Sequence, residues 1–313
     1  MLTEELLEWL LAGDVAVQYQ VHRDLLGEDR PDLQDRIVSE GHGAALLAAR
    51  GPSGDWGGGF YLPKWTFSHY TLLELKTLGL PPSNAVAREP VQRILTEHVG
   101  RDGGLDPLGS GGPSDVCVNG MALGYAAYFG ATTAQLRSVA EVLLESRMAD
   151  GGFNCRWRRG ATHGSVHSTI CVLEGVTEYR RRGHDHCAEE LAAAADGAVE
   201  FLLRHRLYRS ESTGEVINPE FTRLHFPARW RYDILRCLDA FRDADVAPDP
   251  RMEDALDLLQ KRRRPDGSRV LNAHYPGATH AVVEPAGRPS RWITLMALRV
   301  LARYGHARWG PAG

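Results

Sequence analysis

The sequence predicts an all-α protein, an (α/α)6 toroid in which six helical hairpins close into a ring, as a single domain over residues 1–313. Three observations predict it. A glycine-rich turn, then a polar or aromatic start, then an apolar helix recurs along the chain. The segments between these copies repeat apolar residues at steps of three and four, as at Leu136, Val139, Val142 and Leu143. No stretch sustains a period of two, so no sheet is expected beyond short hairpins around Val270 and Val282.

The copies run in order. GDVAVQYQVHRDLLG from Gly13 is a faint first one. GDWGGGFYLPKWTFSHYTLLELKTLGL follows from Gly54, GSGGPSDVCVNGMALGYAAYFG from Gly109, and DGGFNCRWRRGATHGSVHSTICVLEGVTEY from Asp150. FPARWRYDILRCLDAF from Phe226 and GRPSRWITLMALRVLARYG from Gly287 are weaker copies. Their helix starts, near residues 18, 68, 117, 167, 232 and 292, lie about 50, 49, 50, 65 and 60 residues apart. Residues 208–223 read as an insertion between the fourth and fifth pairs. Amphipathic segments from Glu89, Thr133, Ala188 and Arg251 supply the outer helices, and more apolar ones such as Met121 to Phe129 the inner ring. Gly103–Gly104 and Gly151–Gly152 supply the positive φ of the tight turns. In such a ring the starts of the inner helices converge at one end of a central cavity, so their first turns hold the candidate site residues.

The composition, 43% hydrophobic and 24% charged, is that of a globular chain. A net charge of −4 excludes a global basic field for nucleic acid or anionic lipid. No apolar run approaches the roughly 20 residues that cross a bilayer. The start MLTEELLEWLLAGD has no basic n-region or small-residue cleavage site, so a cytoplasmic location is expected. Five scattered cysteines without a CxxC argue against a disulfide framework, and Cys171 and Cys237, inside apolar helical runs, read as core residues.

The turns DGGL at Asp102 and DGGF at Asp150, each before an inner helix, resemble the repeats of squalene cyclases and of protein-prenyltransferase β subunits, members of the terpenoid-cyclase superfamily. The resemblance spans nearly the whole chain. It implies a squalene-cyclase-like and prenyltransferase-like enzyme, acting on an apolar, isoprenoid-like small molecule in the central cavity. A sharper match is Asp115-Val116-Cys117 at one helix start with His167 at the next, similar to the zinc ligands of the prenyltransferase β subunits. It implies a Zn2+ ion held by Asp115, Cys117 and His167. A carboxylate, a thiolate and an imidazole leave a fourth position open, the pattern of a catalytic site. The same residues also read as a helix cap, a small core residue and a satisfied core histidine. The acid run Asp-x-Asp-Asp of squalene cyclases is absent, which argues against alkene protonation by that acid.

Further residues stand at the same convergence. ATHGSVH resembles, faintly, a stretch of the zinc-dependent lanthionine cyclases, which implies a second ligand set of Cys117, Cys155 and His163; His163 and His167 share a face if the segment is helical. Asp115, Asp233 and Glu284 are candidate acids or bases, with His167 beside them, although Asp233 reads first as a helix cap or a salt-bridge partner of Arg229 or Arg231. Arg156, Arg229, Arg231 and Arg291 can hold a phosphate or carboxylate, and Trp65, Trp230 and Trp292 can wall a ligand or pack between hairpins. Lys64 and His69 open the second inner helix. An enzyme working in the cavity and a non-catalytic binding or scaffold ring remain as two functional classes.

Overall fold

The computed structural model describes residues 2–109, 111–112 and 114–305; Met1, Ser110, Pro113 and residues 306–313, which the single-domain expectation and the third repeat include in part, lie outside the described residues. The described chain is predominantly α-helical. In order the helices are α1 (Glu4–Leu11), α2 (Val15–Val21), α3 (Pro31–Arg36), α4 (Gly41–Ala48), α5 (Ser68–Leu78), α6 (Ala85–Glu97), α7 (Val116–Tyr128), α8 (Thr133–Glu145), α9 (Val166–Arg181), α10 (Ala188–Arg204), α11 (Ile234–Asp243), α12 (Glu253–Lys261) and α13 (Arg291–Tyr304).

Four of the repeats close the same turn. A backbone N–H donates to the carbonyl four residues on: Gly51 to Asp55, Gly100 to Gly104, Met148 to Gly152 and Arg264 to Ser268, at 2.7–3.0 Å. The next N–H then reaches the first turn of the following long helix. Trp56 donates to Ser68 Oγ, Leu105 to Asn119 Oδ1, Phe153 to Thr169 Oγ1 and Arg269 to Thr294 Oγ1. The aspartate of the DGG turn makes this geometry. Asp150 accepts from Gly152 N–H at 3.0 Å and from Gly164 N–H at 2.7 Å, so one carboxylate folds the turn and ties it to the segment before α9. Asp102 does the same with Gly104 and Ser114. Only the first glycine of each pair takes positive φ, Gly103 at 83° and Gly151 at 82°.

Caps set the helix starts. Asp14, Asp115, Asp233 and Ser290 each accept a first-turn N–H of α2, α7, α11 and α13. Thr132 and Gln135 form a capping box on α8. α7 and α9 pack most closely, because Gly120 and Gly175 bring the two backbones together: a Cβ at Gly120 would stand 2.7 Å from the Cys171 carbonyl. Contacts then run from α5 to α7, α7 to α9, α9 to α11, α11 to α13 and α13 to α2. Gln20 on α2 donates to the Thr77 carbonyl on α5 at 2.8 Å. A cavity of about 620 Å³ lies between these six helices.

The sequence expectations differ from the structure in two places. Arg269–Val270 forms a short strand that pairs antiparallel with Pro289–Ser290 at the start of α13, and the residues around Val282 form no strand. α9 starts at Val166, so His163 precedes the helix and shares no helical face with His167. The 208–223 segment holds a bridge between Arg209 and Val216 and a short 3-10 turn at Pro219–Thr222. No described helix is long and apolar enough to cross a membrane.

Candidate functional site

One helix start and one turn bring Asp115, Cys117 and Cys155 together, with one potential ligand atom from each within 4.8 Å of the others. Asp115 is the N-cap of α7, and its Oδ1 accepts from Val118 N–H at 3.2 Å. The same oxygen accepts from the Cys155 thiol at 3.1 Å. Cys117, one residue into α7, donates its backbone N–H to Cys155 Sγ at 3.3 Å, and the two sulfurs lie 2.8 Å apart. Ser168 Oγ, from α9, stands 3.3 Å from both sulfurs and accepts the Cys155 N–H. Hydrogen bonding to Cys155 and burial push the Cys117 thiol well above its ordinary pKa.

The donor set suits a soft divalent ion: two sulfurs and one carboxylate are zinc ligands that leave a fourth position. Zinc–sulfur bonds of about 2.3 Å at a tetrahedral angle hold sulfurs about 3.8 Å apart. The observed 2.8 Å is shorter, so holding zinc requires the two cysteine side chains to rotate apart by ~1 Å.

His167 does not belong to this group, and Cys155 stands where it is expected. Helix geometry gives the reason. α9 turns Ser168 toward α7, and the preceding residue therefore points about 100° away. His167 Nδ1 accepts the Tyr232 N–H at 2.9 Å, and its ring packs edge-on against Phe221, Trp230 and Tyr232. Burial, with Arg236 and Arg231 nearby, pushes its pKa down to about 4. The Cys117–Cys155 pairing of the second ligand set is present, without His163, which is exposed.

Lys64 closes the other side. Its ammonium stands over the rings of Tyr61 at 4.8 Å, Trp230 at 5.5 Å, Trp65 at 5.9 Å and Tyr70 at 6.0 Å. Burial lowers its pKa, while Asp115, Cys117 and Cys155 act in the opposite sense. Arg231 lies over the Trp230 and Tyr275 rings at 4.8 and 4.9 Å. His69 is wholly buried, and burial drives its pKa to about 3.

The other expected residues fall elsewhere. Asp233 is buried and caps α11, accepting from the N–H groups of Arg236 and His225. Glu284 accepts from the N–H groups of Arg291 and Trp292 at the start of α13. Arg229 pairs with Glu74, which also holds His42 Nε2 at 2.6 Å. Arg291 donates to the Trp9 carbonyl and lies over that indole. Arg156 is exposed. Trp65 donates to the Pro276 carbonyl, and Trp292 stacks on Phe226 at 4.5 Å.

The cavity runs mainly along the middle and far ends of the same helices, and Tyr70, Arg236 and Trp292 carry it to the first turns of α5, α11 and α13. Tyr70, Met121, Phe226, Trp292 and Met296 give it an apolar patch, and ion pairs give it charge. Arg236 pairs with Glu174, and Arg299 with Asp239 and Asp24. The sequence reading missed these pairs and Ser168; an acid inside an otherwise apolar inner helix was the available signal. No family model matches the chain, and no curated protein matches it.

Proposed function

We propose that the chain is an (α/α)6 toroid enzyme whose chemistry centres on a zinc-binding site formed by Asp115, Cys117 and Cys155. The observation that carries this reading is the convergence of those three ligand atoms from two successive repeats. The sequential contacts of the six inner helices support the toroid, and with it the likeness to the prenyltransferase and squalene-cyclase superfamily. A cytoplasmic setting, where thiols stay reduced, suits free cysteines at such a centre.

Zinc bound there would supply a Lewis acid that lowers the pKa of a thiol or water at its open position. The chain's own groups prepare the site. Ser168 orients both sulfurs, Asp115 Oδ1 accepts the Cys155 thiol proton, and the α7 N-terminus offers the Cys117 N–H to Cys155 Sγ. The substrate is a small molecule whose apolar part fits between Tyr70, Met121, Phe226 and Trp292. The ion pairs on the same cavity wall favour an amphiphile over a bare hydrocarbon, because covering them with hydrocarbon strips water from charge.

Those pairs also favour a second reading, a ring that binds without reacting, since the charges along its axis satisfy one another. Metal analysis of the purified chain after zinc supplementation tests the first. About one zinc per chain is expected, lost in Cys117→Ala and in Cys155→Ala with the helical circular dichroism retained. A supplemented protein that holds no zinc leaves only the binding ring.

A further inference from the structure

Beside the two sulfurs stands a group of donors that lacks acceptors. Lys64 and Arg231 both lie over the Trp230 indole, at 5.5 and 4.8 Å from its ring. Burial lowers the pKa of Lys64 most, Asp115 and Cys117 act against it, and Arg231 lowers it further. Among the described residues no carboxylate lies within ion-pair distance of either one. Trp230 Nε1 and Arg231 Nε are buried and without a hydrogen-bond partner. An unpaired buried donor is destabilising, so two of them on adjacent residues, next to two neighbouring cations, leave hydrogen bonds to be satisfied.

The neighbouring groups do not complete it. Asp115, the nearest acid that Lys64 feels, spends Oδ1 on Val118 N–H and the Cys155 thiol. Glu174 is taken by Arg236, and Glu74 by Arg229 and His42. His167, 5.1 Å from the Trp230 ring, adds no acceptor: its Nδ1 already receives the Tyr232 N–H, which leaves the proton of the neutral ring on Nε2 as one more donor.

We infer that Lys64, Trp230 and Arg231 form a binding site for the oxyanion group, carboxylate or phosphate, of a small-molecule ligand held beside Cys117 and Cys155. A single oxyanion accepts from the ammonium, the guanidinium and the indole N–H together, and its charge removes the repulsion between Lys64 and Arg231. The site rests on the reading above for what the anion is delivered to, but its binding does not need the metal.

Titration calorimetry of the full chain at constant ionic strength, with inorganic phosphate and with acetate in separate runs, tests it. Saturable binding of at least one anion is expected, weakened about tenfold or more by Lys64→Met and by Arg231→Met. The two anions tell a phosphate ligand from a carboxylate ligand. Binding persists after EDTA treatment and in Cys117→Ala, which separates it from the fate of the zinc site. Tryptophan emission that changes with the anion in the parent, and not in Trp230→Phe, places the ligand. Lys64→Arg retains binding and serves if the methionine variants do not fold. No saturable binding of either anion, binding indifferent to both methionine variants, or binding lost with the metal overturns the assignment.

Discussion

Cys117 Sγ and Cys155 Sγ lie 2.8 Å apart, although 38 residues separate them in the chain. One comes from a helix and the other from the turn of the next repeat, and Ser168 from a third segment touches both. That arrangement divides the metal prediction between residues. Cys155→Ala should cost as much zinc affinity as Cys117→Ala, more than the roughly 10- to 100-fold typical of losing an outer-shell partner, whereas His167→Ala should leave zinc bound. Ser168→Ala should weaken binding less than either, since it orients ligands without being one. Competition with a chelating dye measures all four; zinc lost in His167→Ala and kept in Cys155→Ala would return the imidazole to the ligand set.

Gly120 is where α7 and α9 touch. In Gly120→Ala the new methyl would meet the Cys171 carbonyl carbon and oxygen at 2.7 Å and Val172 N at 2.8 Å, all backbone. Nothing there can swing aside, so the helices must separate. The expected loss is about 1–3 kcal/mol of folding stability, read as a lower urea midpoint. Gly124→Ala, whose methyl meets Gly175 Cα at 3.3 Å, should cost clearly less. Equal losses at the two positions, or a gain at Gly120 from the better helix propensity of alanine, would mean that the close approach does not decide.

Glu74 is buried with Arg229 on one oxygen and His42 on the other. Burial alone would raise its pKa, but Arg229 and His42 outweigh it and hold the carboxyl below its ordinary value. Removing the guanidinium in Arg229→Met leaves a buried charge half-compensated, at a cost of about 3–5 kcal/mol. Adding Glu74→Gln to that variant should recover part of the loss, because no charge then remains to be paired. Because the folded pKa is depressed, the stability from Glu74 is present above the unfolded carboxyl's pKa and is lost as pH falls through the folded one. Urea denaturation of the single and double variants at neutral pH checks the coupling; an additive double variant would show that the pair does not interact.

The hairpin repeat was legible because most turns carry a glycine at a fixed position, three of them with an aspartate just before it, and each inner helix carries an apolar run. The starts expected near 68, 117, 167, 232 and 292 coincide with α5, α7, α9, α11 and α13. Asp115 and Cys117 were readable from their own helix start. The third member of the cluster was harder. His167 and Ser168 are adjacent in sequence, and one residue of helical rotation decides which faces α7, a choice set by how Gly120 and Gly175 dock the two backbones. Cys155 lies in a turn, where no helical period announces its direction. The partners of Glu74, Glu174 and Asp239 come from other helices, so no local pattern reveals them.

His167 gives a pH signature that depends on its place among Phe221, Trp230 and Tyr232. Burial first, then Arg236 and Arg231, holds its pKa at about 4, against 6.5 for an unhindered histidine. Between those values the unfolded chain binds a proton that the folded chain refuses. The contribution of His167 is therefore present above pH 6.5 and is lost as pH falls toward 4. His167→Gln should flatten the pH dependence of the urea midpoint in that window. Imidazole resonances in the folded protein should show the Nε2–H tautomer at neutral pH and no titration near 6.5. Because Arg231 is one of the charges that depress this group, an oxyanion bound against Arg231 should move the titration upward; a histidine that titrates near 6.5 without any anion would mean that the imidazole is solvated and not seated on Tyr232.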